Sequence, residues 1–288
     1  MTETHIDTHP GPAEGLRARL DLFAAAFVDG VRRLLRPPRP VATPVFALFP
    51  SWAEWFCAVA LGLALVLAGM AYLDPVIQGS RHLLSPGQAR FFQIVTDVGK
   101  SGWVLIPSGV AILAILAVVP PARRFADRVV LALCARLAFV FIAVGGSGLI
   151  ISIVKRIIAR GRPRYFEEFG ALHFQFPSWQ ASYASFPSGH SQTAFAIALS
   201  FAFLFPRWRW PLLAVAAVVA FSRVGVDAHY FTDIVVGSLW GAWFTVMTRN
   251  WFARRGLVFL PGDGHAPMPM PRRRLAQALA TFGRRLRG

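Results

Sequence analysis

Three short stretches decide how this chain is read: KRIIARGRP at 155–163, PSGH at 187–190 and SRVGVDAHYFTD at 222–233. Each lies at the edge of an apolar segment. Together they supply Lys155, Arg162, Arg223, Ser188, Gly189, His190, His229 and Asp233. That inventory suits an anionic phosphate better than a metal ion. Lys, Arg and Ser side chains hold phosphate oxygens. One histidine can attack phosphorus while the other protonates a leaving oxygen.

The spacings support this chemistry. Lys155 and Arg162 are seven residues apart, so two helical turns put them on one face. Arg162 precedes Pro163, where a helix tends to stop. Taken alone, the pair is better explained as an ordinary basic helix end, since Arg156, Arg160 and Arg164 are close by. The chain nevertheless uses Arg as its default cation, which makes a Lys at 155 informative. Ser188 is placed to cap the helix that follows. Free amides at a helix start bind anions, and Gly189 lets backbone come close to a ligand. His229 and Asp233 are four apart and face one way on a helix. A carboxylate on one imidazole nitrogen fixes the tautomer and frees the other nitrogen. Asp233 is also favoured at a helix N-terminus for purely dipolar reasons. Each cluster has a plain structural explanation taken singly; their joint order does not.

Composition places these stretches in a membrane. Of the 288 residues, 55% are hydrophobic and only 15% charged, and the mean hydropathy is +0.51. Soluble domains are nearer to about 45–50% apolar. Long apolar runs imply an integral membrane protein. The formal net charge of +16 does not point to nucleic acid, because the basic residues sit between and beyond apolar spans, where they anchor to anionic lipid and control topology. Cys57 and Cys134 both fall in apolar runs, so packing is expected of them rather than a disulfide or a metal site. No metal and no cofactor are expected. The first fifty residues contain no long apolar core of a signal peptide.

The chain divides into a tail at 1–50, a membrane domain at 51–250 and a basic tail at 251–288. Residues 1–14 are polar and expected to be disordered. Residues 15–36 carry Leu16, Leu20, Phe23, Phe27 and Val31 at helical spacing and predict a helix lying on the membrane, ended by Pro37, Pro38 and Pro40. Six spans are predicted, roughly at 52–73, 103–119, 129–154, 190–205, 210–226 and 233–249. The last three have short apolar cores and qualify only if the polar clusters belong to their helices. A second surface helix is predicted within 271–288. The fold class is therefore an all-α polytopic membrane protein with six transmembrane helices. With alternating spans, one side collects 21 of the 30 basic residues, which puts both tails in the cytoplasm. The same parity brings all three clusters to the extracytoplasmic helix ends.

These three stretches resemble the complete signature of the type 2 phosphatidic acid phosphatase superfamily, with every signature position matched. The resemblance implies a six-helix membrane core and metal-independent hydrolysis of lipid phosphates or pyrophosphates. It implies His229 as the nucleophile that forms a phosphohistidine, Asp233 as its orienting carboxylate and His190 as the general acid. Lys155, Arg162, Ser188, Arg223 and the Gly189 amide would hold the phosphoryl oxygens. The expected partners are a lipid phosphate or pyrophosphate and membrane lipids, in a bacterial inner membrane. Undecaprenyl pyrophosphate ranks first as substrate, on how often the family uses it rather than on any residue. The alternatives are lipid A, phosphatidylglycerophosphate or phosphatidate hydrolysis, a lipid phosphotransferase, and a scaffold or transporter that keeps the signature. The aromatic loop at 164–186 is expected to cover the site or touch lipid. His82 and His173 are expected to be surface histidines.

Overall fold

Apolar runs without helix breakers become helices, and the regular structure of the described residues is helical apart from an isolated bridge of Arg160 with Phe174 and a two-residue antiparallel pairing of Phe259–Leu260 with Met268–Pro269. The computed structural model describes residues 12–38, 51–80, 85–118, 125–260 and 268–269. The surface helix expected within 271–288, most of the polar N-terminal stretch and His82 lie outside the described residues.

The first helix, α1 (Pro12–Leu35), takes in residues 12–14, which were expected to be disordered. It packs against α5 (Gly102–Val118), where Ala26 meets Leu116 and Cys134. The indole Nε1 of Trp251 donates to the Leu34 carbonyl at 3.0 Å. Leu16, Leu20 and Phe27 stay exposed, in keeping with the apolar stripe read from the sequence. Ser51 caps α2 (Trp52–Ala68) by accepting from the Glu54 amide. Its helical path does not stop at 73. It runs through a π turn at Gly69–Leu73 into α3 (Asp74–Gly79), so Asp74 lies inside a continuous helical segment. A short α4 (Pro86–Thr96), started by a Ser85–Gln88 capping box, precedes α5.

Among the described residues, three helical segments are long and apolar enough to cross a membrane: Trp52–Gly79, Pro86–Val118 and Val130–Ile158, the last being most of α6 (Phe125–Ile158). Their outer faces expose Leu61, Leu65, Leu67, Ile106, Val110 and Ile153. Hydrocarbon is the solvent that accepts such faces. The chain is an integral membrane protein. The stretches near 190–205, 210–226 and 233–249, where three shorter spans are expected, form helices α8 (Gly189–Leu204), α9 (Arg209–Gly225) and α10 (Phe231–Arg254).

Helix α8 is the centre of the bundle and packs on α6, α9 and α10. Most of it is buried, which is why its sequence is small and mixed rather than uniformly apolar. Its Gln192 donates to the Ser147 hydroxyl on α6 at 2.6 Å. Helix α10 crosses α8 nearly backbone to backbone. A Cβ on Gly237 would stand 2.3 Å from the Ser188 carbonyl oxygen, and one on Gly241 would stand 2.3 Å from that of Gln192. Small residues four apart are the usual means of such an approach in membranes. At the opposite end of the bundle from this crossing's Ser188, Phe139 packs edge-on against Phe252 and Phe259.

Between α6 and α8 the chain folds back over the end of α6. It passes through the short α7 (Phe166–Phe169) and is tied down by backbone bonds. Gly161 donates to His173, Gln175 to Ala159, Arg162 to Ser182 and Ser185 to Arg160. Tyr165 stacks on Tyr183, and Phe169 on His173. Phe176 and Trp179 remain exposed on its outside.

Gly237→Val should force α10 off α8. Overpacking of this kind costs about 1–3 kcal/mol, so the thermal midpoint in detergent should fall and activity with it. Gly62→Ala, where nothing lies within 4 Å of the added methyl, should leave both unchanged.

Candidate active site

Lys155 occupies the last turn of α6, which ends at Ile158. Ala159 then adopts a left-handed conformation (φ 50°) and turns the chain back. This reversal sets Arg160 into the interior, while the Arg162 amide donates to the Ser182 carbonyl of the following loop. The lysine amine lies 3.7 Å from where a Cβ on Gly189 would be, so the first two stretches meet there. Ser188 caps α8, its hydroxyl accepting from the Ser191 amide, while its own amide donates to the Asp233 carbonyl at 3.0 Å. His190, in the first turn of α8, packs against Gly99 and lies within electrostatic reach of Arg223, His229 and Lys155.

Arg223, in the last turn of α9, donates from Nη1 to the Thr96 hydroxyl at the end of α4. Its Nε is buried and has no partner, and the same holds for the Nε of Arg162. An unpaired buried guanidinium donor is costly. Two of them from separate stretches, both within electrostatic reach of His229, make a site suited to an anion's oxygens.

His229 is almost wholly buried, at 4% exposure. Its Nδ1 lies 2.8 Å from the Ser185 carbonyl and 3.5 Å from Asp233 Oδ2. Both are acceptors, so Nδ1 carries the proton and Nε2 keeps its lone pair. Burial pushes the imidazole below the ordinary histidine range, against the opposing pull of the Asp233 carboxylate. Asp233, fully buried, is held on both oxygens. Arg160 Nη1 donates to Oδ1 at 2.6 Å, and the Ser185 hydroxyl and the Tyr230 amide donate to Oδ2. The ring is thus fixed in one tautomer with its free nitrogen able to attack, as nucleophilic catalysis requires.

All eight residues expected at a site therefore gather around the facing ends of α6, α8, α9 and α10. Sequence reasoning passed over five others. In the sequence Arg160 is one of several neighbouring basic residues, yet it is completely buried and donates all five of its N–H groups. Nε and Nη2 go to the Ala171 carbonyl, Nη1 to Thr232 Oγ1 and Asp233, and Nη2 also to Asp74 at 2.8 Å. Asp74 falls one residue past the range expected for the first span, 52–73, and no reading of the sequence singles it out. Thr96, Ser185 and Thr232 carry no motif at all. His173 is half-buried, stacked on Phe169 and bonded to the Tyr183 hydroxyl at 3.3 Å, so it is a loop-packing residue rather than a surface one.

Comparison with known proteins supplies the family. The model of the PAP2 superfamily matches residues 136–257, a range that holds all three stretches. A lipid A 1-phosphatase of Rhizobium johnstonii is 34% identical over 216 residues, covering 73% of this chain and 86% of that protein. The chain belongs to the PAP2 superfamily. It is thereby a phosphatase, a hydrolase of phosphate esters. An undecaprenyl-diphosphatase of Sulfolobus acidocaldarius from the same superfamily is 29% identical over 109 residues, 36% of this chain and 53% of that protein. Among solved structures, Aquifex aeolicus LpxE is similar with a TM-score of 0.43 and 19% identity, over 62% of this chain and 93% of that one.

The lowered proton affinity of His229 has a sign that can be measured. A histidine kept neutral by burial takes up its proton at a lower pH than the free value of about 6.5. Nitrogen chemical shifts of His229 in detergent micelles should therefore report the Nδ1–H neutral tautomer at pH 6.5 and below. An imidazole already charged at that pH would contradict the burial argument.

Proposed function

We propose that this chain dephosphorylates lipid A at its 1-position, through a phosphohistidine on His229. The observation that carries the chemistry is the buried His229, with Nδ1 committed to two acceptors and the buried, unspent donors of Arg162 and Arg223 within its electrostatic reach. Nε2 attacks phosphorus, the P–O bond to the lipid breaks, and His190 gives its proton to the leaving oxygen. Water then attacks the phosphohistidine, His190 takes the proton, and inorganic phosphate leaves. Lys155, Arg162, Arg223, Ser188 and the Gly189 amide hold the phosphoryl oxygens as charge builds on them. Asp233 keeps the ring oriented. No metal is required by this set of roles.

The choice of lipid A rests on the relatives. The lipid A 1-phosphatase matches along most of its length, whereas the undecaprenyl-diphosphatase matches over about half. Undecaprenyl pyrophosphate, ranked first on family frequency, accordingly drops behind lipid A. Phosphate release from a panel of lipid A, undecaprenyl pyrophosphate, phosphatidylglycerophosphate and phosphatidate separates the candidates. Fastest release from lipid A is expected; a clear preference for undecaprenyl pyrophosphate would reverse the order. A requirement for a second lipid as acceptor would make the chain a phosphotransferase, and the absence of any turnover a scaffold.

The placement of the site follows from charge and parity. Six spans, counting α8, α9 and α10, with both tails in the cytoplasm put the site at the outer face of the inner membrane. Lipid phosphate headgroups lie at that depth, where charged side chains cost little, compared with about 2.5–3.5 kcal/mol at a helix centre. Reporters fused within 121–128 and within 165–185 should read cytoplasmic and external respectively.

His229→Ala should remove both turnover and the acid-labile phosphoenzyme. His190→Ala should slow lipid ester hydrolysis by about 10²–10⁴, the usual worth of a general acid, and by less for a leaving group that needs no proton. Activity should persist in chelator and be blocked by vanadate, which mimics the five-coordinate transition state.

A further inference from the structure

The roles assigned above leave two fully buried charges unused. Arg160 has no N–H left for a substrate, which separates it from Arg162 and Arg223. Asp74 is 1% exposed and reaches the start of α10 from the first candidate span. Its Oδ1 accepts from the Thr232 amide at 2.9 Å, and its Oδ2 accepts from the Thr232 hydroxyl and from Arg160. Thr232 in turn accepts from Arg160 Nη1. Arg160 also lies over the Tyr230 ring, 4.1 Å from its centroid. The π turn of Gly69–Leu73 delivers Asp74 to this place, and such turns recur at functional sites. Gly69 permits the approach, since a Cβ there would stand 2.8 Å from the Thr232 methyl.

We propose that Asp74 and Arg160 are positioning residues for the phosphatase reaction, the α3 carboxylate acting through Arg160 and Thr232 on Asp233 and so on His229. The inference rests on His229 being the nucleophile. Stability alone is a weak reason for such a group, because well-packed apolar residues often replace buried ion pairs without loss. Its location behind the reacting ring supplies a better one. Arg160 fixes one oxygen of Asp233, leaving the other for Ser185, Tyr230 and the imidazole. Once Nε2 carries the phosphoryl group, the ring is positively charged and needs negative charge behind Nδ1. One guanidinium against Asp233 alone would cancel that charge. The second carboxylate, Asp74, leaves the buried group net negative, so the phosphoimidazolium is stabilised as it forms.

The test is Asp74→Asn, which keeps the shape and removes the charge. It is assayed in detergent with whichever lipid phosphate of the panel turns over fastest, alongside Asp233→Asn and the double variant. kcat should fall by about tenfold or more while KM stays within about threefold, since only a step after binding is affected. If Asp74 acts through Asp233, the double variant should be no slower than Asp233→Asn alone; a merely structural role would make the losses multiply. A folded Asp74→Asn with kcat within about threefold of wild type, or multiplying losses, overturns the inference. Should Asp74→Asn fail to fold, Thr232→Val takes its place. It breaks the hydroxyl bridge between the two charges, and the same outcomes decide. His229→Ala separates the two claims. If that variant stays active, the nucleophile assignment fails and the inference with it; if it is dead and Asp74→Asn is unimpaired, only the inference fails.

Discussion

A guanidinium without access to water, set between two carboxylates, is the constraint from which the rest of the site follows. A buried charge has to be paired and hydrogen-bonded or it is expelled or neutralised. Arg160 meets that demand by spending every donor, and its partners come from three places: Asp74 at the end of the first candidate span, Ala171 in the loop after α6, and Thr232 and Asp233 at the start of α10. The loop is held down by the same group that fixes the carboxylate. The Ser185 carbonyl, which meets His229, sits on that loop, and the Ser185 amide donates to the carbonyl of Arg160 itself.

A second constraint acts through backbone rather than charge. Gly237 and Gly241 let α10 lie against the first turns of α8, and the Ser188 amide bonds the Asp233 carbonyl across that contact. The helix start suited to phosphate and the helix carrying the orienting carboxylate are therefore one joint. The cations divide accordingly. Arg160 is fully spent inside the protein, while Arg162 and Arg223 each retain a buried donor without a partner.

The parts of this arrangement that could be read from the sequence were those whose residue types are unusual for their surroundings. A lone Lys155 among arginines, a Pro-Ser-Gly-His before an apolar run, and a His and Asp at helical spacing stand out, and all of them converge. The later helices also fell close to their expected ranges, because apolar length sets them. Arg160 was hidden by its neighbours: Arg156, Arg162 and Arg164 look the same in one dimension, and only the reversal at Ala159 turns one of them inward. Asp74, followed by Pro75, lies just beyond the apolar run that sets the expected first span. A π turn has no sequence signature that would have carried the helix past it. The contact of α1 with α5 was missed for a related reason, since an exposed apolar stripe fits a bilayer surface and a neighbouring helix equally well.

The distances along the chain within the buried group bear on how the protein is made. Arg160 lies 86 residues after Asp74 and 73 before Asp233. In synthesis, the helix bearing Asp74 emerges first, Arg160 arrives with the end of α6, and Asp233 comes only with the last helix. Until then one carboxylate answers one guanidinium, and the two donors that end on Thr232 and Asp233 have nothing of their own to bond. A chain stopped after α9 therefore carries an incompletely satisfied charge at the membrane, a mark that distinguishes the unfinished protein from the finished one.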